Sequence, residues 1–145
     1  MFIDASALVA ILGEEEAGVP LLKKIGSVGS PIYYSSLVVF EAATALARKK
    51  KIAAYGENAP TPPHLIERAE FAIEGFLNEI GAVELPVVPG THRVALSAAQ
   101  TYGRFVGHPA KLNFGDCFSY AAAKMLQSPL LFVGNDFSKT DIEVA

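Results

Sequence analysis

The sequence predicts one α/β domain with a mostly parallel central sheet and helices on both of its faces. Two observations carry that expectation. Short β-branched and aromatic runs alternate with longer stretches whose apolar residues recur at helical spacing, and such alternation builds a parallel sheet covered by helices. The chain also has 145 residues, 51% of them hydrophobic and 19% charged. That suits a single core spanning residues 1–145 and argues against disorder.

The elements follow in order. Met1–Asp4 is a short apolar strand, after which Ser6 opens a helix over Ala7–Leu12. A polar break at Gly13–Glu16 separates it from a second helical piece at Ala17–Lys24. Ile32–Ser36, after Pro31, is a second strand. Leu37–Lys51 is an alanine- and leucine-rich helix expected to end in Arg48–Lys51, where cations suit the negative pole. Three prolines mark Gly56–Pro63 as a loop, and His64–Ile80 follows as a helix stopped by Gly81. Val83–Val88 is a third strand, and Pro86 within it points to an edge position or a short pairing. Thr91–Tyr102 is a helix with Thr91 as its expected N-cap, and Gly103–Leu112 is a loop. Asn113 caps a helix reaching about Gln127, Leu130–Val133 is the last strand, and Gly134–Asp141 is a polar turn.

Composition narrows the classes of function. Cys117 is the only cysteine, which excludes an internal disulfide and a cysteine metal cluster. No apolar run approaches the ~18 residues of a membrane span, and Met1–Asp4 lacks the basic residues that open a signal peptide. A cytoplasmic chain with no membrane partner is expected. The net charge of −3 gives no global attraction for nucleic acid, so RNA binding would need local cations.

The most informative pattern is where charge is missing. Asp4 is the only charged residue from Met1 to Gly13, and Glu41 the only one from Ser27 to Ala47. Asp116 stands alone from Leu112 to Ala123, and Asp136 from Met125 to Ser138. Burying an unpaired carboxylate costs several kcal/mol, and no Lys or Arg lies inside these segments. A shared cation would satisfy all four. Asp4 ends the first strand, Asp136 follows the last, Asp116 lies in the first turn of a helix and Glu41 one turn into another. In open parallel sheets these places meet beyond the carboxyl ends of the strands. Oxygen-only donors suit Mg²⁺ or Mn²⁺ rather than zinc.

Each acid also has a plain structural reading. Asp4 could cap the first helix, Asn113 and Asp116 could form a capping box, Asn135-Asp136 could be an Asx turn, and Glu41 could pair with Arg48 one helical face along. Four such coincidences are less economical than one site.

At these residues the sequence resembles a known family. Phe2-Ile-Asp4-Ala-Ser6-Ala-Leu8, Ser36-Leu-Val-Val-Phe-Glu41-Ala-Ala-Thr-Ala-Leu46, Leu112-Asn-Phe-Gly-Asp116-Cys-Phe-Ser-Tyr-Ala121 and Leu131-Phe-Val-Gly-Asn-Asp136-Phe-Ser-Lys-Thr-Asp141-Ile are similar, in order, to the acidic motifs of PIN-domain nucleases. With Gly107-His-Pro-Ala110 the likeness extends to VapC-type toxins of bacterial toxin–antitoxin pairs. The resemblance implies an endoribonuclease dependent on Mg²⁺ or Mn²⁺, with Asp4, Glu41, Asp116 and Asp136 as catalytic metal ligands. Asn135 is the neighbour that could replace Asp136, and Asp141 could stabilise the turn instead. The resemblance further implies an RNA substrate, a cognate VapB-type antitoxin and a homodimer. The apolar faces of Leu37–Ala47 and Leu65–Ile80 are candidates for the protein contacts.

Ser6 and Asn113 are expected to orient carboxylates. Arg93, Arg104, His108 and Lys111 are candidate groove cations, and Tyr102 and Phe105 candidate stacking residues, although core packing explains both rings as well. Rival classes fit less. A dehalogenase-like phosphatase wants a second Asp where Ser6 stands, and a receiver-like domain wants a phosphoacceptor Asp that Val83–Val88 does not offer. A PIN-like domain that binds RNA or a partner without cutting is the remaining alternative.

Overall fold

A computed structural model describes all 145 residues. Its elements run β1 (Phe2–Ile3), α1 (Ala5–Leu12), α2 (Gly18–Ser27), β2 (Tyr33–Tyr34), α3 (Ser36–Tyr55), α4 (Pro63–Glu79), β3 (Val83–Glu84), α5 (Thr91–Tyr102), α6 (Phe114–Leu126) and β4 (Leu130–Leu131). The sheet is wholly parallel in the order β3-β2-β1-β4. Phe2 faces Tyr33 on one side and Leu130 on the other.

That order fixes where a site can form. The chain steps outward from β1 to β2 to β3, then returns past β1 to β4. Parallel crossovers are right-handed, so the outward and return connections cover opposite faces. The direction reverses between β1 and β4, and a crevice opens beyond their carboxyl ends. The ladder continues one step past β1, where Asp4 N donates to Leu131 O at 2.9 Å. Asp4 is therefore pinned at the reversal point.

The core is apolar and continuous. Phe2, Ile3, Leu8, Val38, Ile73, Leu77, Leu112 and Leu130 are fully buried, each contributing ~1.5–3 kcal/mol by its removal from water. No helix is long and apolar enough to cross a membrane.

Several boundaries differ from the sequence expectation. The strands are two residues long, and after β1 and β2 helices begin at once: Asp4 caps α1 and Ser35 precedes α3. Val83–Val88 shrinks to Val83–Glu84 at the sheet edge, as Pro86 requires. Helix α3 runs on to Tyr55, because Ile52, Ala53 and Ala54 sustain a helix until Gly56 at φ 87°. The basic run Arg48–Lys51 thus lies inside α3, not at its negative end. Lys51 is 6% exposed and its Nζ donates to Glu57 O at 2.6 Å, tying the following loop to the helix. Lys49 instead pairs with Glu15.

Thr91 is the first residue of α5 rather than its cap. Gly90, left-handed at φ 92°, makes the entry turn, and the Thr91 hydroxyl donates to Val88 O at 2.8 Å. Residues Phe137–Lys139 form a 3₁₀ turn in which Phe137 is buried against Phe132. Asp141 closes that segment on α6, accepting from the Tyr120 hydroxyl at 2.5 Å and pairing with Lys124 at 2.8 Å.

Gly18 sets the approach of α2 to α1. A Cβ there would lie 2.7 Å from Ala10 O and 3.0 Å from Ile11 Cα, both backbone atoms. Gly18→Ala should lower the urea midpoint by the equivalent of ~1–3 kcal/mol. Gly26→Ala, on the same helix with nothing within 4 Å, should raise it by ~0.5–1 kcal/mol. Equal midpoints for the two variants would contradict this packing.

Candidate active site

Asp4 anchors the site. Its residue is 3% exposed, and its two oxygens differ in their surroundings. Oδ2 accepts from Ser6 N at 2.9 Å and from Ser6 Oγ at 2.6 Å, capping α1. Oδ1 is buried and has no partner. Capping and ligand readings therefore divide between the two oxygens, and the cap leaves Oδ1 unexplained. The Ser6 hydroxyl also accepts from Val133 N at 3.0 Å. It thus braces the Asp4 carboxylate against the segment leaving β4.

Asp116 comes to the same place from α6. Its Oδ2 accepts from Asn113 N at 2.7 Å while Asn113 Oδ1 accepts from Asp116 N at 3.0 Å, a complete capping box. The reciprocal bonds fix both the helix start and the carboxylate. Burial pushes the Asp116 carboxyl up to about 6. The Asn113 N–H pulls it back, Asp4 and Asp136 raise it, and Arg104 lowers it.

Glu41 is half-buried in the second turn of α3. It makes no ion pair with Arg48, because the ion pairs formed are Lys49–Glu15 and Lys124–Asp141. Its carboxylate lies against Gly115: a Cβ at that position would be 1.9 Å from Glu41 Oε2 and 2.7 Å from Oε1. Burial, then the charges of Asp4 and Asp116, pushes Glu41 up to about 7. Asp4, Glu41 and Asp116 thus stand within mutual repulsion.

Asp136 is placed differently. It is exposed ahead of the 3₁₀ turn, caps nothing with its side chain, and reaches the others only as a charge acting on Asp116. Asn135 is also exposed, and its carbonyl accepts from Ser138 Oγ at 2.7 Å.

These residues suit a hard divalent cation. The donors are all oxygens, one buried oxygen lacks any partner, and the carboxylates raise one another's pKa. No three carboxyl or imidazole groups converge closely enough to ligate one ion together. Water would complete the coordination, as Mg²⁺ commonly requires.

The expected cations and rings sort unevenly. Arg104 lines a cavity of about 310 Å³ with Leu37, Phe40, Glu41, Asn113 and Phe114. Arg93 and Lys111 are exposed outside it. His108 structures its loop, since its Nδ1 accepts from Ala110 N at 3.1 Å and its ring meets Tyr102 edge-on. Tyr102 packs on Tyr120, whereas Phe105 is 69% exposed beneath the Arg104 guanidinium. Gly115, Phe40 and Phe114 were not singled out in the sequence. The available signal was a glycine in the first turn of the helix that carries Asp116, flanked by an aromatic residue.

A parallel α/β sheet with buried acids at its reversal point defines a class of phosphodiester-cleaving PIN domains. The chain belongs to that PIN-domain family, whose model matches residues 1–143. It is 41% identical to a VapC ribonuclease of Rhizobium meliloti over 141 residues, covering 97% of this chain and 98% of that one. It is 34% identical to the ribonuclease VapC42 of Mycobacterium tuberculosis over 145 residues, covering 100% and 98%. The crystal structure of Mycobacterium tuberculosis VapC20, a sarcin-ricin loop cleaving toxin, shares the fold with a TM-score of 0.66 at 17% identity, covering 99% of this chain and 97% of that one.

The raised acids give a pH dependence. Glu41 and Asp116 hold protons in the fold that the unfolded chain has already released, so their contribution is full below about pH 4 and lost as pH rises to about 7. In a chelator, denaturation midpoints should therefore fall across that window by more in the parent than in Glu41→Gln. Parallel profiles for the two proteins would contradict the burial of this carboxylate.

Proposed function

We propose that the chain is an endoribonuclease that hydrolyses RNA phosphodiester bonds using Mg²⁺ or Mn²⁺. Asp4 and Asp116 would be the principal ligands, with Glu41 and Asp136 completing the cluster through water. The observation that carries this reading is the buried, partnerless Oδ1 of Asp4 beside two acids whose pKa values burial and mutual repulsion raise. The VapC ribonucleases named above support the substrate class.

When bound, the cation supplies an acidified water and neutralises charge on the phosphate oxygens. The residues of the chain do the rest. Ser6 and the Asn113 N–H fix the Asp4 and Asp116 carboxylates, so little reorganisation remains when substrate arrives. Gly115 leaves room for the Glu41 carboxylate, which would accept a proton from the attacking water. Arg104 offers a guanidinium to a phosphate oxygen on the open side.

The biological role proposed is that of a cytoplasmic toxin, active as a homodimer and restrained by a VapB-type antitoxin. The apolar faces expected to bind protein pack on each other as α3 and α4. The groove left between them is lined by Val39, Phe40, Ile66 and Leu77 and carries Glu70, Glu74 and Glu84. Such a surface fits a segment with apolar and basic residues. Phe40 borders both this groove and the cavity at Glu41, so a protein bound there would cover the approach to the acids.

Purified protein with Mg²⁺ or Mn²⁺ should cut RNA internally. Asp4→Asn and Asp116→Asn should each reduce cleavage by at least about a hundredfold without lowering the thermal midpoint, because Asn preserves capping and repulsion is relieved. Cleavage by the double variant at the parent rate would overturn the assignment.

A further inference from the structure

Two large rings beside the acids remain mostly exposed. Phe40 is 70% exposed although it directly precedes Glu41, and Phe114 is 62% exposed although it directly precedes Gly115. Both line the cavity that holds Glu41, Arg104 and Asn113. Phe114 leans on Phe118 at a centroid distance of 4.8 Å, which steadies the ring while leaving most of it open. Exposed phenylalanine costs free energy that burial would recover, so two of them at one cavity mark a surface that another molecule covers.

We propose that Phe40 and Phe114 form a base-stacking platform on which unpaired nucleotides of the RNA lie. The inference rests on the ribonuclease reading and deepens it. Charge selects the occupant. Arg104 enters the same cavity as a phosphate-binding cation, and base faces stack on aromatic rings whatever the sequence. Bases within a duplex are already stacked on each other and present no free face to a ring. A single strand instead offers a base to each phenylalanine while its backbone passes Arg104 towards the carboxylates. The net charge of −3 gives no long-range attraction, and stacking supplies affinity that charge does not.

The test is binding without cleavage. Full-length chain carrying Asp116→Asn is titrated with a short oligoribonucleotide containing a fluorescent purine analogue, as a single strand and as a duplex. Stacking should quench the analogue on the single strand, and the duplex should bind more weakly. Phe40→Ala and Phe114→Ala should each lower affinity roughly tenfold and remove quenching, while Phe40→Tyr and Phe114→Tyr retain both. Unchanged affinity and quenching in the alanine variants would overturn the platform. So would equal binding of duplex and single strand, or loss of self-association in the alanine variants with RNA affinity intact, which would assign the rings to a protein interface. Quenched, ring-dependent binding by a chain whose parent cuts no RNA would uphold the platform and sink the ribonuclease reading instead.

Discussion

A carboxylate 3% exposed, with one oxygen bonded twice and the other not at all, is the constraint around which this molecule is arranged. Asp4 cannot move to water without breaking the ladder bond from its own N–H to Leu131 and the cap of α1. Its charge therefore has to be met where it stands. The Ser6 hydroxyl serves both sides, donating to Asp4 and accepting from Val133 N, and so joins the two strand ends between which the chain reverses direction. The capping box does the same at the start of α6, where one pair of reciprocal bonds sets the helix and the acid together.

This economy explains how so short a sheet holds a site in place. Each strand pairs over two residues, too few for rigidity on their own. The positioning comes from helix starts, where side-chain and backbone groups need partners anyway. Glu41 is the exception. It lies a full turn inside α3 and is located by contact, its carboxylate resting on the bare Cα of Gly115. The distance between α3 and α6 thus controls how near Glu41 stands to Asp4 and Asp116, and through that its proton affinity.

Much of this was legible in the sequence because it is local. The alternation of strands and helices, the edge position forced by Pro86 and the Asn113–Asp116 box all depend on neighbours a few residues apart. The isolation of Asp4, Glu41 and Asp116 in apolar segments could be read directly, and the fold brings those three within repulsion. What stayed hidden is non-local. The contact of Gly115 with Glu41 depends on the meeting of two helices far apart in the chain. The exposure of Phe40 and Phe114 runs against the pattern that assigns phenylalanine to the core. Arg48–Lys51 looked like a helix end because cations favour that place, but nothing broke the helix before Gly56, and tertiary burial of Lys51 decided the outcome. Asp136 was grouped with the other acids by its isolation and its place after the last strand, and the structure leaves it exposed.

The central claim is that buried Asp4 and the half-buried acids beside it are a cation site rather than a helix cap with incidental charge. Thermal unfolding of the metal-free chain near neutral pH, with and without millimolar Mn²⁺ or Mg²⁺, tests it most directly. A cation bound only by the fold raises the midpoint in proportion to the logarithm of its concentration. The account predicts such a rise in the parent chain and its loss in Asp4→Asn, whose cap is kept but whose charge is gone. An equal rise in both proteins, or none in the parent, would contradict it.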